Sequence, residues 1–367
     1  MSLISFNDIN EPNDINEPND INDNMRIIVD AMGGDYAPEV VIEGAIAAAR
    51  EYGTEIILVG DETKISSLLK KHRYSGSAIS VHHAPEVIGM QESAAASVRK
   101  KRNSSIVVGL NLLKEGRGDA FFSAGNTGAV VCAGTLSLGL LPGIERPGIA
   151  IVVPTLKGIS VLIDVGANID PKPIHLLQYG IMADAYLRHI LQRTNPKVGL
   201  LNIGEEESKG TDFIKETHEL LSQSKLNFTG NVEGKDIFSG KCDVIVCDGF
   251  VGNVALKVSE SLAEALQEFL KRHLKSNPLG IMGFFLLQSS FRRFKKETDY
   301  SEYGGAPLLG VNGIVIIGHG RSNVNAIKNA IRVAKEEVDR KFNEKILEAI
   351  NPEPVRLRSE LRIDPAG

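Results

Sequence analysis

The chain has 367 residues, of which 43% are hydrophobic and 24% charged, enough apolar material for a large buried core and too much for a disordered chain. The net charge is −5, but Asp8, Glu11, Asp14, Glu17, Asp20 and Asp23 stand in a segment with no basic residue; removing those six from the 46 acidic residues leaves 40 against 41 basic ones. A nearly neutral body has no basic excess of the kind that nucleic-acid recognition requires, and no run reaches the roughly 20 apolar residues of a membrane span.

Residues 7–24 repeat with period six, from Asn7-Asp8-Ile9-Asn10-Glu11-Pro12 onward. Polar, acidic and interrupted by proline, residues 1–24 form a disordered extension outside the fold. There is no apolar leader at the N-terminus, so a cytoplasmic location is expected. Cys132, Cys242 and Cys247 have neither metal-site nor disulfide spacing and suit core positions in a reducing compartment.

From Met25 the chain alternates strand and helix. Arg26–Val29 is a strand leading into Asp30-Ala31-Met32-Gly33-Gly34-Asp35, and a helix spans 38–52. Strands follow at 55–59 and 78–82, with a helix at 62–72 between them. A polar stretch, 84–103, ends in Arg99-Lys100-Lys101-Arg102. A helix over 106–115 feeds the strand at Asp119–Ser123, and after a glycine turn a helical pattern runs from Val130 to Leu138. Strands at 148–154 and 160–163 flank the turn residues Lys157 and Gly158. Then come helix 174–192, strand 198–202, helix 211–222 and strands 226–231 and 244–247. Val251, Val254, Val258, Leu262, Ala265, Leu266 and Phe269 recur at helical spacing as far as about Leu274. The last strand is 314–317 and the closing helix 323–342. This alternation predicts an α/β fold, a mainly parallel sheet covered on both faces. With no low-complexity linker inside it, 25–350 is expected to be one domain, followed by a tail at 351–367.

Five apolar strands run into polar glycine turns: Asp30 into Gly33-Gly34; Ser123 into Gly125-Asn126-Thr127-Gly128; Asp164 into Gly166-Ala167-Asn168; Asp248 into Gly249 and Gly252-Asn253; Ile317 into Gly318-His319-Gly320-Arg321. Taken singly, each is a helix cap or a tight turn. In a parallel sheet all five would project to one edge, where ligands of such sheets bind. Glycines let backbone approach a phosphate or carbonyl, the Asn amides offer donors, and Asp30, Asp164 and Asp248 orient neighbours or handle protons. That set suits a tetrahedral oxyanion without a protein nucleophile. No phosphate-loop, HExxH or GxSxG pattern is present. Gly318-His319-Gly320 begins a dinucleotide-like pattern, but Asn323 stands at its third glycine position.

One stretch departs from the alternation. After Asn277-Pro278, the residues Phe284, Leu287, Phe291 and Phe294 fall on one helical face, accompanied by Arg292, Arg293, Lys295 and Lys296. This predicts a protruding amphipathic helical hairpin at about 275–300. It can lie in a membrane interface, hold an acyl chain, receive a carrier protein or pack on a second subunit.

The signatures Asp30–Asp35, Ser123–Ala129, Asp164–Asn168, Cys247–Asn253 and Tyr303-Gly304-Gly305-Ala306, in this order, resemble the bacterial phosphate acyltransferase family of phospholipid synthesis. The resemblance covers Met25 to about Ile350. It implies a three-layer α/β/α Rossmann-like fold related to phosphate acetyltransferases and isocitrate dehydrogenases. It also implies transfer of a long acyl chain from acyl carrier protein to inorganic phosphate, and delivery of the acyl phosphate to a membrane glycerol-3-phosphate acyltransferase. A homodimer at the membrane surface is expected, with no metal and no organic cofactor. On this reading the catalytic set is Asn126, Thr127, Asp30, Asp164, Asp248 and Lys257. Substrate contacts come from Gly33, Gly34, Ser123, Gly125, Gly128, Gly166, Asn168, Gly249, Asn253, His319 and Gly320. Many members of the family this chain resembles carry a lysine just before the final His-Gly, where this chain has Ile317-Gly318; if that lysine contacts phosphate there, another cation such as Arg321 or Lys257 must serve here. Arg99–Arg102 and Arg292–Lys296 are candidate landing patches for the acidic carrier protein. The alternatives are a membrane-surface lipid-binding scaffold and a nicotinamide-dependent dehydrogenase of the related fold.

Overall fold

Period-two apolar runs and period-3.6 amphipathic runs become strands and helices in turn in the computed structural model, which describes residues 25–275 and 302–351 with Met282 and 286–289 between them. The N-terminal half carries β1 (Arg26–Asp30), α1 (Glu39–Tyr52), β2 (Glu55–Gly60), α2 (Glu62–Lys71), β3 (Ile79–His83), α3 (Ala94–Lys100), α4 (Ser105–Lys114), β4 (Ala120–Ser123) and α5 (Thr127–Leu138). There follow β5 (Gly148–Thr155), β6 (Gly158–Ile163), α6 (Pro173–His189), β7 (Lys197–Leu201), α7 (Asp212–Ser222), β8 (Asn227–Val232), β9 (Val244–Val246) and α8 (Gly249–Lys275). Beyond the gap lie β10 (Ala306–Leu309), β11 (Ile314–Ile317), α9 (Val324–Asp339) and α10 (Phe342–Ile350).

Three of these elements differ from the sequence reading. Helix α3 sits in the stretch read only as polar. β10 is four residues long and starts Ala306-Pro307, too short to show a period. The closing helix divides because Lys341 adopts φ 49°, a left-handed conformation that no glycine or proline announces.

All the strands join one eleven-stranded sheet in the order β3-β2-β1-β4-β11-β10-β5-β6-β9-β7-β8. Alternate side chains enter opposite layers. Ile27 and Val29 belong to one buried cluster with residues of α1, α6, α9 and α10, whereas Ile28 and Phe121 belong to another with residues of α4 and α5. Phe121 and Phe122 are fully buried, and truncating a residue so placed to alanine costs about 3–5 kcal/mol. The three-layer α/β/α expectation is met.

The sheet is mainly parallel, as expected, but three antiparallel pairings reverse one half of it against the other. β1, β4 and β11 are mutually parallel, but β10 runs antiparallel to both β11 and β5, and β5 antiparallel to β6. β6 is parallel to β9, and β9 to β7. Three reversals therefore leave β6 and β9 pointing opposite to β1, β4 and β11. Their carboxyl ends, and the turns that follow them, lie at the other edge of the sheet.

Helix α8 spans between the edges. From Gly249 to Glu264 it rises about 22 Å at 1.5 Å per residue. It leaves Val254, Val258, Leu262, Leu266 and Phe269 exposed as an apolar row. Of the expected helical hairpin, Phe284, Phe291, Arg292, Arg293, Phe294, Lys295 and Lys296 lie outside the described residues, and Leu287 is exposed. The extension 1–24 and the tail after Asn351 also lie outside them. Among the described residues, no helix is long and apolar enough to cross a membrane.

Candidate active site

At the edge formed by β1, β4 and β11, three turns interlock through backbone. Asp30 is fully buried and accepts the Met32 N–H at 3.0 Å and the Ser123 hydroxyl at 2.7 Å; Ser123 Oγ in turn accepts the Gly125 N–H at 3.0 Å. Burial pushes the Asp30 carboxyl above its ordinary range, against the hydrogen bonds from Ser105 and Ser123. A Cβ on Gly33 would stand 2.7 Å from Gly125 N, so glycine is the residue that lets the two turns touch. Asp35 N–H donates to Gly320 O at 2.7 Å and Gly318 N–H to Ser123 O at 2.8 Å, drawing in the third turn.

Helix α5 begins here. Asn126 caps it, its Oδ1 accepting the Ala129 N–H at 3.0 Å, while Nδ2 faces the carbonyls of Gly89, Met90 and Glu92 at 3.2, 3.2 and 3.0 Å. The expectation that Asn126 donates to a reacting oxyanion meets a side chain already committed to protein at both ends. Thr127 and Gly128, by contrast, are exposed in the first turn of the helix, where N–H groups lack intrahelical acceptors and the helix dipole favours an anion.

The 319–321 turn adds positive charge. His319 Nδ1 accepts the Arg321 N–H at 3.2 Å, which leaves Nε2 to carry the proton of the neutral ring. Nε2 lies 3.8 Å from Glu260 Oε2, the atom that also receives Lys257 Nζ at 2.9 Å; Arg321 Nη2 meets Glu264 Oε1 at 2.7 Å. Burial holds the His319 pKa below its ordinary value, with Glu260 acting against it. Lys257 thus belongs to this edge, although α8 starts at the other one.

The opposite edge is built differently. Asp164 Oδ1 accepts the N–H groups of Ile149, Gly166 and Ala167 at 2.9–3.0 Å, and Oδ2 that of Asn168 at 2.7 Å. Burial raises the Asp164 pKa and these backbone bonds oppose it. Gly249 N–H donates to Asn168 O at 3.0 Å, and a Cβ at Gly249 would stand 2.6 Å from that oxygen. Asp248 Oδ1 caps α8 by accepting Phe250 and Val251 N–H at 3.0 and 2.9 Å. Asn168 Nδ2 donates to Tyr179 Oη at 3.4 Å.

The five turns therefore do not converge. Asp30, Gly33, Gly34, Ser123, Gly125, Asn126, Thr127, Gly128, His319 and Gly320 come together at one edge with Lys257. Asp164, Gly166, Asn168, Asp248 and Gly249 form the seat of α8 at the other, with their polar atoms tied to backbone or to Tyr179. Exposed Asn253, one helical turn before Lys257, lies on the way between them. Sequence reasoning missed Glu92, Glu260, Glu264 and Met90. Glu92 and Met90 stand in an aperiodic polar stretch, and the two α8 carboxylates read as the solvated face of a helix.

The α/β/α fold is one this chain shares with solved phosphotransacetylases. It superposes on a phosphotransacetylase from Streptococcus pyogenes with a TM-score of 0.61 at 18% identity, covering 86% of this chain and 94% of that one. It also superposes on the EutD phosphotransacetylase from Staphylococcus aureus, with a TM-score of 0.56 at 17% identity, again over 86% and 94%. Sequence goes further. A family profile described as fatty acid synthesis protein matches residues 25–345. Proteins named phosphate acyltransferase are 51% identical in Trichlorobacter lovleyi, over 89% of this chain and 95% of that protein, and 50% identical in Geobacter sulfurreducens, over 90% and 95%. The chain belongs to the phosphate acyltransferase family.

Proposed function

We propose that this chain transfers a fatty acyl group from acyl carrier protein to inorganic phosphate, and that the β1–β4–β11 edge is where it does so. The carrying observation is that exposed N–H groups opening α5 share an edge with His319, Arg321 and Lys257. Phosphate is the nucleophile: one of its oxygens forms a bond to the thioester carbonyl carbon, the C–S bond breaks, and the thiolate leaves with the electron pair and takes a proton from solvent. The cations hold phosphate, and the α5 N-terminus at Thr127 and Gly128 stabilises the oxyanion. Asp30, Ser123, Gly125 and Asn126 act as positioning residues that keep the turns in register.

The acidic carrier protein lands on exposed Arg99, Lys100 and Arg102; Lys101 is engaged by Glu92 and the Val87 carbonyl. A second copy of the chain covers the apolar row of α8, and the 284–296 segment meets the membrane surface, from which the acyl phosphate passes to a membrane glycerol-3-phosphate acyltransferase. Family membership favours this reading over a lipid-binding scaffold or a dehydrogenase. In the test, the purified protein is mixed with acyl carrier protein thioester, with and without phosphate. Carrier thiol is expected only when phosphate is present, and release that ignores phosphate, or no release, overturns the assignment.

A further inference from the structure

Gly320 lies between two unlike surroundings. Its neighbours His319 and Arg321 turn to the carboxylates of α8, which makes that side polar and cationic. On Gly320 itself, a Cβ would stand 2.7 Å from Met90 Cε, so the thioether of Met90 rests directly against this glycine. Met90 is 39% exposed and Val87 37%, an apolar pair at an otherwise polar edge. Ala94 closes the same side, 3.0 Å from where a Cβ on Gly128 would be.

The segment that carries Met90 has no regular structure of its own and is held by two side chains. Asn126 Nδ2 faces three of its carbonyls as donor, as described above. Glu92 Oε1 accepts the Gly89 N–H at 3.0 Å and pairs with Lys101, and Glu92 Oε2 accepts the Ser97 hydroxyl at 2.7 Å. Six polar contacts thus fix a four-residue stretch whose outward product is one flexible apolar side chain beside the glycine edge. Phosphate is served by the cationic side; the hydrocarbon of the other substrate requires an apolar one.

We propose that residues 89–92 form the acyl-side wall of the site, that Met90 sets selectivity among acyl donors, and that Asn126 and Glu92 are positioning residues acting through it. The inference rests on the acyl-to-phosphate reading of this edge.

The test measures kcat/KM for carrier thioesters of a long and a short acyl chain, and separately the KM for phosphate. Met90→Ala is expected to change the long-to-short ratio about 10-fold, the size of effect that apolar pocket contacts give, with phosphate KM within about twofold of wild type. Met90→Leu, which keeps apolar bulk, is expected to keep the wild-type ratio. Asn126→Asp retains an oxygen for the Ala129 N–H but sets an acceptor against three carbonyls. It should shift the ratio in the same direction as Met90→Ala and add nothing on top of it. An unshifted ratio, a shift confined to phosphate KM, loss of the ratio in Met90→Leu, or full additivity of the two variants would each overturn the assignment while thiol release by the wild type upholds the reaction. A wild type that releases no thiol overturns both.

Discussion

The two edges of the sheet use one sequence device for different ends. At both, an apolar strand runs into aspartate and glycine, and at both the aspartate is buried and bonded to the turn that follows it. At the β6–β9 edge the device closes on itself: Asp164 takes four backbone N–H groups, and Gly249 and Gly252 leave room only for backbone beneath α8. At the β1–β4–β11 edge Asp30 also looks inward, yet the next turn opens outward through exposed Thr127 and Gly128, with the cations Lys257 and Arg321 and the imidazole of His319 alongside. An aspartate–glycine turn reports a folded corner; only what stands next to it reports chemistry.

The largest effect separating the edges is expected from Asp164→Ala. It leaves buried N–H groups without an acceptor, each worth about 1–3 kcal/mol, so urea denaturation should show a loss of about 3 kcal/mol or more. A variant that stays as stable as wild type but is inactive would move the reaction to that edge and reverse the comparison. Lys257→Ala comes next. A charge-assisted contact to phosphate is worth about 1.5–3 kcal/mol, so phosphate KM should rise about 10-fold or more with the melting temperature nearly unchanged. An unchanged KM would leave Arg321 as the phosphate cation, with His319 beside it as an N–H donor.

A smaller effect is expected from Asp248→Ala, which removes a helix cap and should cost about 1 kcal/mol with kcat and both KM values kept. A kinetic defect beyond that loss would return Asp248 to the reaction. The smallest concerns pH. The Lys101 ammonium, with Ser97 and the Gly89 N–H, holds the Glu92 carboxyl down at about 2 from its ordinary 4.5. Its stabilising contribution is complete above the unfolded value and fades as pH falls from about 4.5 to about 2, because only the ionised form keeps these partners. Glu92→Gln should therefore lower stability somewhat at neutral pH and flatten its pH dependence between about 4.5 and 2, as acid titrations of the two proteins followed by circular dichroism would report.

Much of the fold was legible because strand and helix periods are local properties. The direction of the second half of the sheet was not. It turns on the β5–β6 hairpin and on the four residues of β10, and of these only Lys157-Gly158 leaves a mark, Gly158 taking φ 121° at the bend. The site was legible where one turn contains it, as in Ser123–Gly128. It was illegible where partners are far apart: the bonds from Asn126 to 89–92 cross 34–37 residues, and Glu260 reaches His319 from another element. For Asn126 the cap could be read from its position before the helix, and the clasp on a distant loop could not.

Helix α8 can also be described mechanically, as a lever. Its near end is fixed on the 164–168 turn, where Gly249 and Gly252 admit no side chain and so allow no sliding. About 16 and 22 Å along, by its rise per residue, Glu260 and Glu264 grip the turn that holds His319 and Arg321. Beyond them the arm carries the last part of its apolar row, Leu266 and Phe269. A load on that far end is transmitted by a stiff rod about a fixed fulcrum, and the first thing it moves is the pair of carboxylates facing the cations.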